Sequence, residues 1–169
     1  GDYYDFIALN ENECFLCIAD VSGKGISAAL LMSHFQAKLR ANIKYNYQNI
    51  SLKSLIKDLN EDVNNAAKWE KFITFFAGHY NKKNKTLQYV NAGHNYPILT
   101  NKKETKFLNK GCIGLGMLED IPKIEVNKIK FQQDTVLVCY TDGLVELENN
   151  NGIITVHSIS SLRTATGNV

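Results

Sequence analysis

Three acids stand where the chain turns sharply beside a strand-like run: Asp2 in "GDYYD", Asp20 in "IADVSGKG" and Asp142 in "VCYTDGLVE". Each alone has an ordinary explanation, because Asp tolerates unusual backbone angles and bonds its own turn. Together they say more. Asp20 and Asp142 each follow a nearly wholly apolar run, "CFLCIA" and "TVLVCY", where a carboxylate is costly unless it is paired. Few basic residues lie close by in sequence to pair with them. If the two strands are neighbours in one sheet their acids converge, and carboxylates a few ångströms apart repel by roughly several kcal/mol at intermediate dielectric. A hard divalent cation relieves that repulsion, and all-oxygen ligands point to Mg2+ or Mn2+ over zinc. Gly23 and Gly25 permit a tight turn after Asp20, so that the Val21 carbonyl can face the same ion. Two ions about 3.5–4 Å apart could share a water, lower its pKa and aim it at phosphorus.

Positioning those acids falls to a small set of elements. "YDFIAL", "NENE" and "CFLCIAD" read as strand, turn and strand, a hairpin feeding Asp20, and the unbroken apolar character of the second strand predicts burial on both faces. From Ser27, a candidate N-cap, Ala28, Leu31, Phe35 and Leu39 fall on one helical face. A second helix starts near Ser51, with Leu52, Leu55, Ile56, Leu59 and Val63 at spacings of three and four. Then the pattern changes. "KFITFFAGHY", "TLQYVNA", "YPILT", "TKFL", "IEVNKIKF" and "TVLVCY" are strand-like runs between polar turns. Strands, two helices and a strand meander argue for an α+β layered domain rather than alternating βαβ units.

Composition narrows the function classes. A chain of 169 residues with 44% hydrophobic content suits one globular domain. The net charge of +2 comes from lysines scattered through turns such as "NKKNK" and "NKKE", not from the stripe or block that nucleic-acid binding uses. No apolar run approaches the roughly 20 residues of a membrane span, and no signal peptide precedes the first strand; a cytoplasmic segment without membrane contact is expected. Cys14 and Cys17 form a C-x-x-C, but in a strand positions three apart point to opposite faces, and no second pair or nearby His completes a zinc set. Buried free thiols are the expectation for these two and for Cys112 and Cys139.

"GDYYDF", "ADVSGKGISAALLM", "FITFFAG", "YVNAGHNYPIL", "GLGM" and "YTDGLVE" occur in an order and at spacings that resemble the SpoIIE-like branch of the type 2C, metal-dependent Ser/Thr protein phosphatases. The resemblance spans nearly the whole chain to about Asn150. It implies an α-β-β-α sandwich, two antiparallel sheets flanked by helices, with a centre of two Mn2+ or Mg2+ ions at one end. Asp20 matches the bridging ligand, the Val21 carbonyl the backbone ligand, Asp2 the acid on the ion beside that carbonyl, and Asp142 a ligand of the other ion. The resemblance also implies that the paired helices, about Ser27 to Ile43 and Ser51 to Ala66, form a regulatory element.

The chain departs from the family pattern in two places. The family carries a further metal Asp in a final strand after another helix, whereas no Asp follows Asp142 here, only Glu146 and Glu148. The expected organisation is therefore a phosphatase domain over residues 1–150, truncated at its C-terminus, and a divergent tail over 151–169. Ser22 stands where eukaryotic relatives have a His, as in the bacterial branch. Four residues are candidates for outer positions around the metals. Asp5 is either such an acid or a strand-start turn residue. Ser22 is another. His94, in "NAGHNYP", either orients water or phosphate or is a structural His before a turn. Glu146 either reaches the site through water or is solvated.

The resemblance implies dephosphorylation of phosphoserine or phosphothreonine on a protein without a phosphoenzyme. The substrate it implies is a phosphorylated anti-sigma-factor antagonist in bacterial partner switching, with the domain behind a sensor or receiver module. The alternative is a catalytically weak or inactive binding module that keeps the fold without a full metal set.

Overall fold

The structure, a computed structural model, describes residues 1–68, 70–145, 148–149 and 152–153. The chain opens with the hairpin β1 (Asp2–Ala8) and β2 (Glu13–Val21). Two helices follow, α1 (Ile26–Tyr45) and α2 (Leu52–Ala67). Next come β3 (Ile73–Asn81), β4 (Thr86–Ala92), β5 (Ile98–Thr100), β6 (Thr105–Phe107), β7 (Gly111–Cys112), β8 (Asn127–Lys130) and β9 (Val136–Val138). The one-turn α3 (Asp142–Val145) and a small hairpin, β10 (Glu148–Asn149) with β11 (Gly152–Ile153), complete the described elements.

The first sheet has the order β1-β2-β3-β4-β7, with β8 also on β4; the second is β6-β5-β9. Pairing is antiparallel except between β4 and β7. Both faces of β2 are buried, as its unbroken apolar run predicts. Phe15, Cys17, Ala19 and Val21 enter the core beneath the helices, while Ile18 and Leu16 join Phe76, Leu87, Tyr89 and Leu99 between the sheets. The helices lie on the first sheet through Ala28, Leu31, Phe35 and Leu39 of α1 and Leu55, Ile56, Leu59 and Val63 of α2. Burial of each large side chain of this kind contributes about 1.5–3 kcal/mol. Phe35 meets Phe75 of β3 edge to face, with ring centroids 5.1 Å apart.

Sheets and helices thus build the expected layers, and among the described residues the only helix besides α1 and α2 is the four-residue α3. Two local expectations are corrected. Ser51 does cap α2, its side chain accepting from the Ser54 N–H, but α1 is capped at Gly25 and not at Ser27. The turn after Asp20 needs left-handed backbone at both Gly23 (φ 83°) and Gly25 (φ 89°), so the helix enters directly from the second glycine. Nor does Asp142 end a strand beside that of Asp20. β9 stops at Val138, Asp142 begins α3, and β2 and β9 belong to different sheets. Asp142, exposed at the start of α3, is still near enough for its charge to act on Asp20.

Candidate metal centre

Asp2 and Asp20 are paired directly in the β1–β2 ladder, and Thr74 of β3 pairs with Asp20 on its other side. Strand alternation puts all three on the face that carries Ile18 and Phe76, the face toward the second sheet. From that sheet's side arrives the segment after β9, where the Thr141 hydroxyl donates to Asp2 Oδ2 at 2.9 Å. The next residue is Asp142.

The Asp20 carboxyl titrates above its ordinary value, first because burial penalises the charge and to a lesser extent because Asp142 and Asp2 lie near. A partly desolvated carboxylate with two others near it has the donor chemistry of a hard-cation site. Among the described residues no three acidic, His or Cys side chains close into a metal cage. Asp2, Asp20 and Asp142 thus have the donor type that suits a divalent cation, in a set that is open.

The remaining candidates fall in different places. Val21 closes β2, its side chain in the core under the helices. Ser22 ends the β2–β3 ladder: its N–H donates to the Phe72 carbonyl and its hydroxyl accepts from the Phe72 N–H, both at 2.9 Å. Asp5 is not brought to the centre. Three positions from Asp2, it points to the opposite, helix-facing side, where Arg40 of α1 binds it and the Tyr3 hydroxyl donates to it at 2.6 Å. Burial acts to raise the Asp5 pKa, but these hydrogen bonds and the Arg40 charge outweigh it and hold the carboxyl below its ordinary value. Glu146 lies outside the described residues, as does most of the expected tail.

His94 is 2% exposed. Its Nε2 lies 3.1 Å from the Tyr140 carbonyl and its Nδ1 2.9 Å from the Thr74 hydroxyl. Burial holds its pKa down, against the nearby Asp2 and Asp142 charges. Thr74 and Thr141 were not singled out by sequence reasoning. The available signals were a hydroxyl inside the apolar run "FITFF" and a hydroxyl directly before Asp142 in "YTDG". No disulfide joins any of the four cysteines; of the thiols expected to be buried only Cys17 is, Cys14, Cys112 and Cys139 being half-buried, and burial pushes the Cys17 thiol up to about 12.

Residues 10–167 match the family described as Stage II sporulation protein E (SpoIIE). The chain belongs to the SpoIIE family. That match continues through most of the stretch after Asn150. The phosphoserine phosphatase RsbU of Bacillus subtilis (strain 168) is 31% identical over 157 residues, covering 91% of this chain and 45% of RsbU. The chain thus spans less than half of that relative. The fold matches the PP2C phosphatase domain of the cell fate determinant SpoIIE from Bacillus subtilis, with a TM-score of 0.74 at 15% identity over 98% of this chain and 46% of that one. It also matches RsbX, solved in complex with magnesium, with a TM-score of 0.64 at 21% identity over 98% of this chain and 80% of that one. SpoIIE-family membership and the PP2C fold agree with the layered sandwich.

Proposed function

We propose that the chain is the phosphatase domain of a protein that hydrolyses phosphoserine or phosphothreonine on another protein, with Mn2+ or Mg2+ as cofactor. The observation that carries the reading is that Asp2 pairs with Asp20 in the β1–β2 ladder and is bonded by Thr141, the residue before Asp142, whose charge also reaches Asp20. The 31% identity to a phosphoserine phosphatase supports the same chemistry. Asp20, Asp2, Asp142 and the Val21 carbonyl would hold two ions. When bound, such ions neutralise phosphoryl charge and acidify a water. The protein's own part is to hold those carboxylates at fixed positions, with Thr141 orienting Asp2 through its hydrogen bond. The substrate class is a phosphorylated anti-sigma-factor antagonist in partner-switching signalling, acted on in the cytoplasm, with a sensor or receiver module preceding this domain in the parent protein.

Phosphate release from a phosphoserine protein, measured with Mn2+ and with chelator, tests the reading. Asp20→Asn and Asp142→Asn should each lower turnover at least about 10²-fold, given how strongly misplacement of reacting groups affects rate, while circular dichroism shows the fold retained. Loss of only a few-fold in both variants rejects the two-ion assignment.

One observation favours a second reading, a binding module with weak or no turnover: no three ligating side chains converge among the described residues. Stoichiometric capture of the phosphoprotein without phosphate release, in a chain that continues past Val169, would establish it.

A further inference from the structure

The His94 ring has no nitrogen left for a phosphate, a water or a metal, since both are within hydrogen-bond distance of protein groups. The Tyr140 carbonyl only accepts, so Nε2 carries the proton; the lone pair on Nδ1 then accepts the Thr74 hydroxyl proton at 2.9 Å, the Asp20 carbonyl lying farther from that hydroxyl at 3.4 Å. The imidazole is thereby a rigid link with a donor at one end and an acceptor at the other, joining β3 of the first sheet to the segment that follows β9 of the second.

Where those ends attach matters. Thr74 is the β3 residue that pairs with Asp20. Tyr140 lies beyond β9 of the second sheet, directly before Thr141, which bonds Asp2, and two residues before Asp142. The ring itself is held firmly. The Asn91 side chain accepts from the His94 N–H at 2.7 Å and donates to the His94 carbonyl at 3.0 Å. Gly93 turns at φ +68° so close to the next loop that a Cβ there would lie 2.8 Å from the Gly114 nitrogen. In "NAGH" the Asn clasps the turn, the Gly makes it possible, and the His projects from it.

We propose that His94, acting through Thr74 and the Tyr140 carbonyl, is the positioning residue that sets the spacing between Asp20 and Asp142 across the two sheets. The inference rests on the reading of those acids as metal ligands and adds to it which residue keeps them in place. An apolar side chain at 94 would leave a buried carbonyl and a hydroxyl unpaired and release the segment that carries Asp142.

The test uses Mn2+ alone as probe, titrated into the full-length protein and followed by loss of the free-ion EPR signal. His94→Ala should weaken Mn2+ binding about tenfold or more, the effect expected when a support of metal ligands is removed. Thr74→Val, which keeps the shape and removes the hydroxyl, should weaken it comparably. In the double variant the loss should stay within about twofold of His94→Ala, because the two act as one link. His94→Gln, which offers a donor and an acceptor at similar separation, should restore affinity to within about threefold of native. Native affinity in Thr74→Val, or losses that multiply in the double variant, overturns the inference. Thr74→Val alone decides the matter if His94→Ala fails to fold. Asp20→Asn separates the two levels: if the native protein binds no Mn2+ that this change abolishes, the phosphatase reading falls and the inference with it. If Asp20→Asn abolishes binding but the His94 and Thr74 variants bind as native, only the positioning role falls.

Discussion

Arg40 of α1 holds Asp5 of β1 in a two-bonded fork, with Nε 2.7 Å from Oδ2 and Nη2 3.0 Å from Oδ1. The fork joins a helix to the strand that carries Asp2, on the side of the sheet away from the acids. It therefore helps fix the edge strand's place without entering the chemistry.

The fork should appear in the pH dependence of stability. The folded Asp5 carboxyl is held below its ordinary value of 3.8, so its contribution is present above that value and is lost as pH falls through the lower, folded one. Native protein should be more stable than Asp5→Asn at pH 7, and the gap in urea midpoint should close below about pH 4. A gap that persists unchanged to pH 2 would show that Asp5 contributes by shape rather than charge.

Asn60 of α2 is 3% exposed and secures the loop after β7, donating to the Leu118 and Glu119 carbonyls and accepting from the Gly116 N–H at 2.9 Å. Asn60→Ala leaves that buried N–H without its acceptor and should cost about 1–3 kcal/mol. Chemical denaturation would measure it, and a cost below about 0.5 kcal/mol would mean that water takes over the bond.

The thiols should be inert. With Cys17 pushed up to about 12 and Cys112 and Cys139 up to about 11 by burial, the thiolate fraction at pH 8 is small and attack on a disulfide reagent is slow. Native protein should react with a soluble aromatic disulfide only as it unfolds. Stoichiometric zinc released by thiol modification would contradict this account of Cys14 and Cys17.

How much of this was legible in the sequence follows from the range of each signal. Period-two and period-three-to-four patterns are local, so β2, α1, α2 and β4 could be read within a residue or two; β4 falls on "TLQYVNA" as expected. The acids were legible by type, because a charge beside an apolar run is conspicuous. Their geometry was not. Whether β2 and β9 share a sheet depends on pairings with β3 and β5, which no local pattern encodes. Asp5 illustrates a finer limit: strand parity already turns it away from Asp2, yet its partner Arg40 lies 35 positions on. Thr74 and Thr141 escaped notice since a hydroxyl in a strand is ordinary until its partners are known.

The bond from Thr141 to Asp2 spans 139 positions, which bears on the order in which the molecule is made. The helix pair α1–α2 and the β3–β4 hairpin close short loops and can form early, but the meeting of Thr141 with Asp2 needs segments 139 positions apart to come together. Contacts of such long range form slowly, because the entropy of closing the chain is lost before they contribute. During refolding, helical signal should therefore rise before the protein gains affinity for Mn2+. On the proposed reading, Mn2+ affinity then reports completion: a chain that has not yet brought Thr141 to Asp2 has not assembled its ligands.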